Sequence, residues 1–172
     1  GKNFNPIAAK SAWWTRRLIC PDEMTGAFIR PGEYQKRKEQ WAYLQQLQPM
    51  RKINEMMLCH DTPAAPGSWR YVRQRAEADA GFKAHPEIRL FFIGHSHQPG
   101  VWFEDGSLPA EPGKRYDFRK RCIVNVGSVG QPRDGDARAS YCLLDTDAGS
   151  VVWRRLPFDL DAYRGALAKA GI

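Results

Sequence analysis

Long apolar runs are missing from this chain. No stretch approaches the roughly 20 residues that cross a bilayer as a helix, so no membrane-spanning helix is expected. No basic-then-apolar leader opens it, so no secretory signal is expected either. Gly1 stands where an initiator Met would. Pro6 occupies the position at which a myristoylation motif needs Ser or Thr. Cysteine is scarce: Cys20, Cys59, Cys122 and Cys142 are far apart, and none forms a Cys-x-x-Cys pair. That argues against a disulfide framework and a cysteine-cluster zinc site, and leaves reduced thiols in a cytoplasmic protein as the expectation. Cys59, Cys122 and Cys142 lie in apolar runs, where Cys behaves as a small hydrophobe. Internal repeats and low-complexity tracts are absent. Net charge is +7, yet no long basic run exists. Short groups such as Arg16-Arg17, Lys36-Arg37-Lys38 and Arg119-Lys120-Arg121 read as a solvated basic surface rather than a nucleic-acid interface.

What remains is an ordinary globular composition, 42% hydrophobic and 26% charged over 172 residues, enough for one domain with a real core. Asn5-Pro6 opens a helix well, since Asn caps and Pro suits the first helical position. That helix is expected over Ile7–Ile19, with Ile7, Ala8, Ala12, Trp13 or Trp14, and Leu18 on one face, and Cys20-Pro21 ending it. Residues 22–32 read as a loop. Glu33–Leu47 reads as a helix whose Tyr34, Trp41, Leu44 and Leu47 face a core. Met56–Cys59 is a buried strand running into His60. A loop follows, then a helix from Ser68 through Ala80 closed by Gly81.

Leu90-Phe-Phe-Ile93 is the next buried strand. Gly94 breaks it, and His95 and His97 follow at once. Along an extended chain, residues two apart point the same way, so both imidazoles can converge past the strand end. Neutral imidazole is the commonest metal-ligating side chain, although a bare His-x-His also suits a polar turn. The order strand, helix, strand is a crossover unit, which makes the two strands parallel. His60 and His95 then share the C-terminal edge of a parallel sheet, where ligands of open α/β folds bind. Lone His85 is read as structural. Further on, Gly100–Glu104 is a strand with a turn at Asp105-Gly106-Ser107, and residues 107–118 look irregular. Cys122–Val126 is a buried strand. Ser140–Leu144 and Ser150–Leu156 form an antiparallel hairpin, and a closing helix starts at Asp159 or Asp161 and ends by Lys169.

These motifs together resemble the calcineurin-like metallophosphoesterase superfamily. Gly94-His-Ser-His97 is similar to its Gly-His-x-His motif, and Cys59-His60-Asp61-Thr62-Pro63 to its preceding histidine motif. Asn125-Val-Gly-Ser-Val-Gly-Gln-Pro-Arg133, with Asp134-Gly-Asp136 and Ala139-Ser-Tyr141, resembles a subgroup of small prokaryotic phosphodiesterases described as diadenosine-tetraphosphatase-like. Two features depart from the pattern. The family's Asp-x-His, Gly-Asp and Gly-Asn-His-Asp motifs are not found, so the chain, residues 1–172, looks like the C-terminal portion of a single such domain. Asp61 stands where the family usually has Gly, as an added ligand, a solvated loop residue or a sign of altered geometry.

The resemblance implies an α/β fold: two packed mixed β-sheets flanked by helices, a four-layer sandwich incomplete at its N-terminus. It implies a metal-dependent phosphoesterase with two divalent transition metals. His60 and His95 would hold one metal and His97 the other, with the bridging Asp, an Asn ligand and the catalytic His coming from the absent motifs. Nitrogen-rich ligation favours Mn, Fe, Zn or Ni over Mg or Ca. A mononuclear three-histidine zinc site is the alternative these residues could build unaided. The implied reaction is attack on phosphorus by metal-activated hydroxide. Arg133 is the candidate phosphate contact, through its bidentate fork, or else a surface ion-pair partner. Residues Gly127–Gly130 could offer N–H groups to a phosphate or only satisfy a tight turn. The expected partner is a phosphoester substrate, with a nucleotide among the options. Self-association or a partner chain is expected if the first half is absent. Competing readings are an inactive binding or assembly module on the same scaffold and, last, a nucleic-acid binder.

Overall fold

A computed structural model describes residues 5–20 and 31–171. In chain order its elements are α1 (Pro6–Ile19), α2 (Pro31–Gln46), β1 (Met50–Ile53), β2 (Met56–Cys59), α3 (Arg75–Ala84), β3 (Leu90–Ile93) and β4 (Gly100–Phe103). Then come β5 (Gly106–Pro109), β6 (Arg115–Asp117), β7 (Cys122–Asn125), β8 (Ala139–Asp145), β9 (Ser150–Leu156) and α4 (Leu160–Lys169). Residues 22–30 of the expected loop lie outside the described residues, and Pro31 and Gly32 belong to α2. The chain divides into two compact units. One contains α1, α2 and α4, and the other runs Gln48–Phe158 with both sheets and α3.

In the helical unit, α1 begins as its sequence dictates: Asn5 Oδ1 accepts the Ala8 N–H at 2.8 Å, with Pro6 in the first turn. The face on which Ile7, Ala8, Ala12 and Leu18 can gather is not a buried one. Nothing in α1 is buried, and Ile7 and Trp13 are 70% and 61% exposed. The core-facing reading of α2 fails for Tyr34, Leu44 and Leu47, which are exposed. At 100° per residue, the residues at 34, 41, 43, 44 and 47 fall within one half of the helix, so their spacing offers a broad side without stating whether anything covers it.

The larger unit carries a six-stranded sheet ordered β1-β2-β3-β7-β4-β5 and a three-stranded sheet ordered β6-β9-β8. β2, β3 and β7 are parallel neighbours, with Met57 opposite Phe91 and Phe91 opposite Ile123. The crossover expected from β2 to β3 is present. Its helix is displaced: α3 starts at Arg75, where the Glu77 carboxylate accepts the N–H groups of Arg73 and Gln74 at 2.6 and 2.9 Å. Nor does Gly81 end it. Gly81 is buried inside α3, where a Cβ would meet Pro63 Cβ and Ile123 Cδ1 at 3.3 Å each, so its missing side chain lets helix and sheet approach. The stretch expected to be irregular contains β5 and β6. β6 pairs only with β9, far along the chain, which local pattern does not reveal.

Period-two alternation sets the layers. Met57, Phe91, Ile93 and Ile123 face Ala78 and Phe82 of α3, together with Val72 and Ile88. Leu90, Cys122, Val124 and Val101 face the other way and pack with Tyr116, Val151 and Trp153 of the smaller sheet. The result is an α/β architecture of helix on sheet on sheet. The central parallel strands end together at His60, His95 and Val126.

Candidate metal centre

His60 follows β2 directly, and the Gly94 N–H donates to the His60 carbonyl at 3.0 Å, continuing the β2–β3 pairing one step past the strands. The turn after β3 is not extended. His95 and His97 have φ of +62° and +59°, a region L-residues rarely enter. The Ser96 N–H donates to the Gly94 carbonyl at 2.7 Å, closing a three-residue turn around His95. The two imidazoles are therefore placed by a strained turn and not by strand alternation, which corrects the extended reading of this motif. Strain of this kind persists only where the surroundings over-determine it. Asn125, fully buried at the end of β7, supplies that: its Nδ2 donates to the Gly94 carbonyl (2.9 Å) and Ser96 Oγ (2.8 Å), and its Oδ1 accepts the Gly127 N–H at 3.0 Å.

His95 Nδ1 lies 3.2 Å from His60 Nε2. His95 Nε2 lies 3.0 Å from the Trp69 carbonyl, and His97 Nδ1 lies 2.7 Å from the Gln131 carbonyl. A carbonyl only accepts, so each contacting nitrogen carries the proton. His95 keeps its lone pair on Nδ1, facing His60, and His97 keeps its own on Nε2. Two nitrogens each about 2.0–2.1 Å from one cation, at an angle between about 90° and 109°, stand roughly 2.8–3.4 Å apart. The His60–His95 separation fits that span. For both to offer lone pairs, His60 must carry its proton on Nδ1.

Aromatic rings surround the pair. Tyr71 stacks on His95 with centroids 4.2 Å apart, and Trp69 stands 5.7 Å from His60 and 5.8 Å from His95. The Arg73 guanidinium sits 3.8 Å above the Tyr71 ring. Loss of hydration is the main cause that lowers the proton affinity of His60, although its outer edge is exposed; His95 and His97 lower it further, against Asp61. His97 is lowered mainly by burial, with Arg133 and His95 adding to that against the Gln131 carbonyl. Both rings are thus biased toward the neutral, metal-binding form.

Asp61 is not a solvated loop residue. It is 2% exposed, and its two carboxylate oxygens accept the N–H groups of Gly67 (3.0 Å) and Trp69 (2.5 Å). Arg133 is exposed. Its N–H donates to the His97 carbonyl at 3.1 Å, and its guanidinium meets Gln131 Oε1 at 2.8 Å. Gly127, at φ +84°, serves a close approach: a Cβ there would fall 2.5 Å from Ser140 Oγ. His85 stands apart, its Nε2 3.0 Å from the Pro63 carbonyl. No motif or periodicity singles out Trp69, Tyr71 or Arg155. The Arg155 side chain, 4% exposed, pairs with Asp134 and donates to the Arg138 carbonyl at 3.0 Å, pinning the loop that carries Gln131 and Arg133. Among the described residues, no three His, Cys, Asp or Glu side chains group closely enough to hold a metal ion. The donor chemistry of the histidines and the tautomers of His95 and His97 fit a divalent cation, and the set is short of anionic ligands.

Comparison with known proteins bears on the family and the fold. The profile of the calcineurin-like phosphoesterase superfamily domain matches residues 32–149. An uncharacterised protein of Methanocaldococcus jannaschii, MJ0912, is 30% identical over 162 residues, which cover 91% of this chain and 58% of that protein. The crystal structure of a metallophosphoesterase from Sphaerobacter thermophilus superposes with a TM-score of 0.71 at 28% identity, covering 99% of this chain and 64% of that one. A hypothetical protein of Pyrococcus horikoshii, PH1004, shares the fold, with a TM-score of 0.57 at 15% identity over 90% of this chain and 64% of its own. The chain thus spans about three-fifths of the length of these relatives. With its parallel strands ending in histidines, its Gly-His-Ser-His turn and a profile match across most of its length, the chain belongs to the calcineurin-like phosphoesterase superfamily.

Proposed function

We propose that the protein is a metal-dependent phosphoesterase that cleaves a phosphate mono- or diester, and that His60, His95 and His97 hold its divalent metals. The observation that carries this reading is the 3.2 Å approach of His95 Nδ1 to His60 Nε2 at the common end of two parallel strands. The bound metals, drawn from Mn, Fe, Zn and Ni, would supply an activated hydroxide and charge neutralisation at phosphorus. The chain's own residues do the rest. Backbone carbonyls of Trp69 and Gln131 fix the tautomers of His95 and His97, and Arg133 meets a substrate phosphoryl oxygen. In a dinuclear form His60 and His95 would hold one metal and His97 the other, and the anionic ligands this set lacks would come from the part of the relatives' length that this chain does not span. In that case the chain is the C-terminal portion of one cytoplasmic domain, and self-association or a partner chain covers what it leaves open.

Metal analysis of the full-length protein, together with its turnover of bis(p-nitrophenyl) phosphate, tests the reading. Expected are bound transition metal and a loss of turnover of at least about a hundredfold in His95→Ala. No bound metal, or unchanged turnover in that variant, contradicts it. A second reading, a binding module without turnover, is favoured by one observation: no complete metal-ligating group exists among the described residues. It predicts no hydrolysis under any metal.

A further inference from the structure

We infer that Asp61 is a positioning residue for His95, acting through the backbone of Trp69. Asp61 directly follows His60, and each of its carboxylate oxygens is engaged by a backbone N–H. Oδ1 takes the Gly67 N–H at 3.0 Å and Oδ2 the Trp69 N–H at 2.5 Å, and the side chain is sealed from solvent at 2% exposure. A carboxylate accepting two backbone N–H groups holds both ends of a short loop at once. The loop closes under its grip through the Ala65 N–H to the Thr62 carbonyl (3.2 Å) and the Ser68 N–H to the Ala65 carbonyl (3.1 Å).

The far end of that loop is Trp69, which has φ +62° without being glycine. A bulky residue in the left-handed region stays there only when something compels it, and the Asp61 bond to its own N–H does so. The outcome is a carbonyl aimed at His95: Trp69 O lies 3.0 Å from His95 Nε2. This contact puts the proton on Nε2, leaves the lone pair on Nδ1, and turns Nδ1 toward His60. Asp61, Trp69 and His95 form one relay in which a buried carboxylate sets a peptide, and the peptide sets a ring.

The inference rests on His95 being a metal ligand only for its consequence in binding. The tautomer itself is readable without metal, so the two can fail separately. Long-range 1H–15N NMR of the imidazole rings in the metal-free protein is expected to show His95 protonated on Nε2. Asp61→Ala is expected to give a mixture of tautomers and to weaken Zn2+ binding, measured by calorimetry, by about ten- to a hundredfold. Trp69→Gly removes the ring, keeps the carbonyl and relieves the positive φ, and is expected to retain the wild-type tautomer. His95 protonated on Nδ1 in the wild-type protein overturns the inference, whatever the variants do. A folded Asp61→Ala protein with wild-type tautomer and wild-type Zn2+ affinity overturns it as well.

Discussion

His95 Nδ1 faces His60 Nε2 across 3.2 Å, although 35 positions separate them in the chain. The approach follows from the parallel pairing of β2 with β3, and it places two imidazole rings side by side. For His60 and His97 the folded protein disfavours the protonated ring. The sign of the pH effect follows. In the window between the depressed folded pKa and the ordinary imidazole value of about 6.5, the unfolded chain binds more protons. Stability therefore rises with pH through that window and falls as pH drops through it. Urea midpoints measured between about pH 7 and pH 5 should fall in the wild-type protein and fall less in His60→Gln. Equal slopes in the two proteins would contradict this.

Asn125 ties the histidine turn to the end of β7 with two donated hydrogen bonds, to the Gly94 carbonyl and Ser96 Oγ, while its Oδ1 accepts the Gly127 N–H. Asn125→Asp preserves the shape and removes both donors, setting a carboxylate against the Gly94 carbonyl. The expected cost is about 2–4 kcal/mol by denaturant unfolding, with metal affinity reduced as the Gly94–Ser96 turn loosens. A loss within about 0.5 kcal/mol would show that the turn holds itself.

Gly127→Ala tests the close approach beyond β7. The new methyl falls 2.5 Å from Ser140 Oγ and 2.8 Å from Ser140 Cβ, on a backbone at φ +84°. Backbone strain and overpacking together should destabilise by about 2–4 kcal/mol. Adding Ser140→Gly to that variant removes the clash and should recover part of the loss, leaving the backbone share. No recovery would assign the whole effect to φ.

Arg155 is buried against Asp134 and against the carbonyls of the 136–138 segment. Arg155→Ala leaves those acceptors unpaired and frees the loop that presents Gln131 and Arg133. A stability loss of about 2–3 kcal/mol is expected, because Asp134 and Asp136 keep some access to water. On the proposed function, turnover falls further than in Arg133→Ala, since His97 loses its Gln131 partner as well. Turnover equal to wild type would sever this loop from the site.

Much of this was legible in the amino-acid order. The β2, β3 and β7 runs are apolar on both faces, as buried parallel strands must be, and the histidines sit where those runs stop. The β8–β9 hairpin follows from alternation flanking a turn. What was illegible depends on distant partners. β6 has three residues and exists only because β9 offers it an edge. The start of α3 is set by Glu77 reaching back to Arg73 and Gln74, beyond a loop that Asp61 ties to its own carboxylate. In α1, periodicity states which residues share a side and not whether anything covers it. Trp69 gave no signal, since its contribution is a carbonyl that every residue possesses.

The central claim is that histidines from separate strands grip one cation. Anomalous diffraction from crystals of the protein soaked in Zn2+ or Mn2+ tests it most directly. The account predicts an anomalous peak about 2.0–2.3 Å from both His60 Nε2 and His95 Nδ1. A metal-loaded crystal with its only peaks elsewhere, and the two rings still in direct contact, would contradict it.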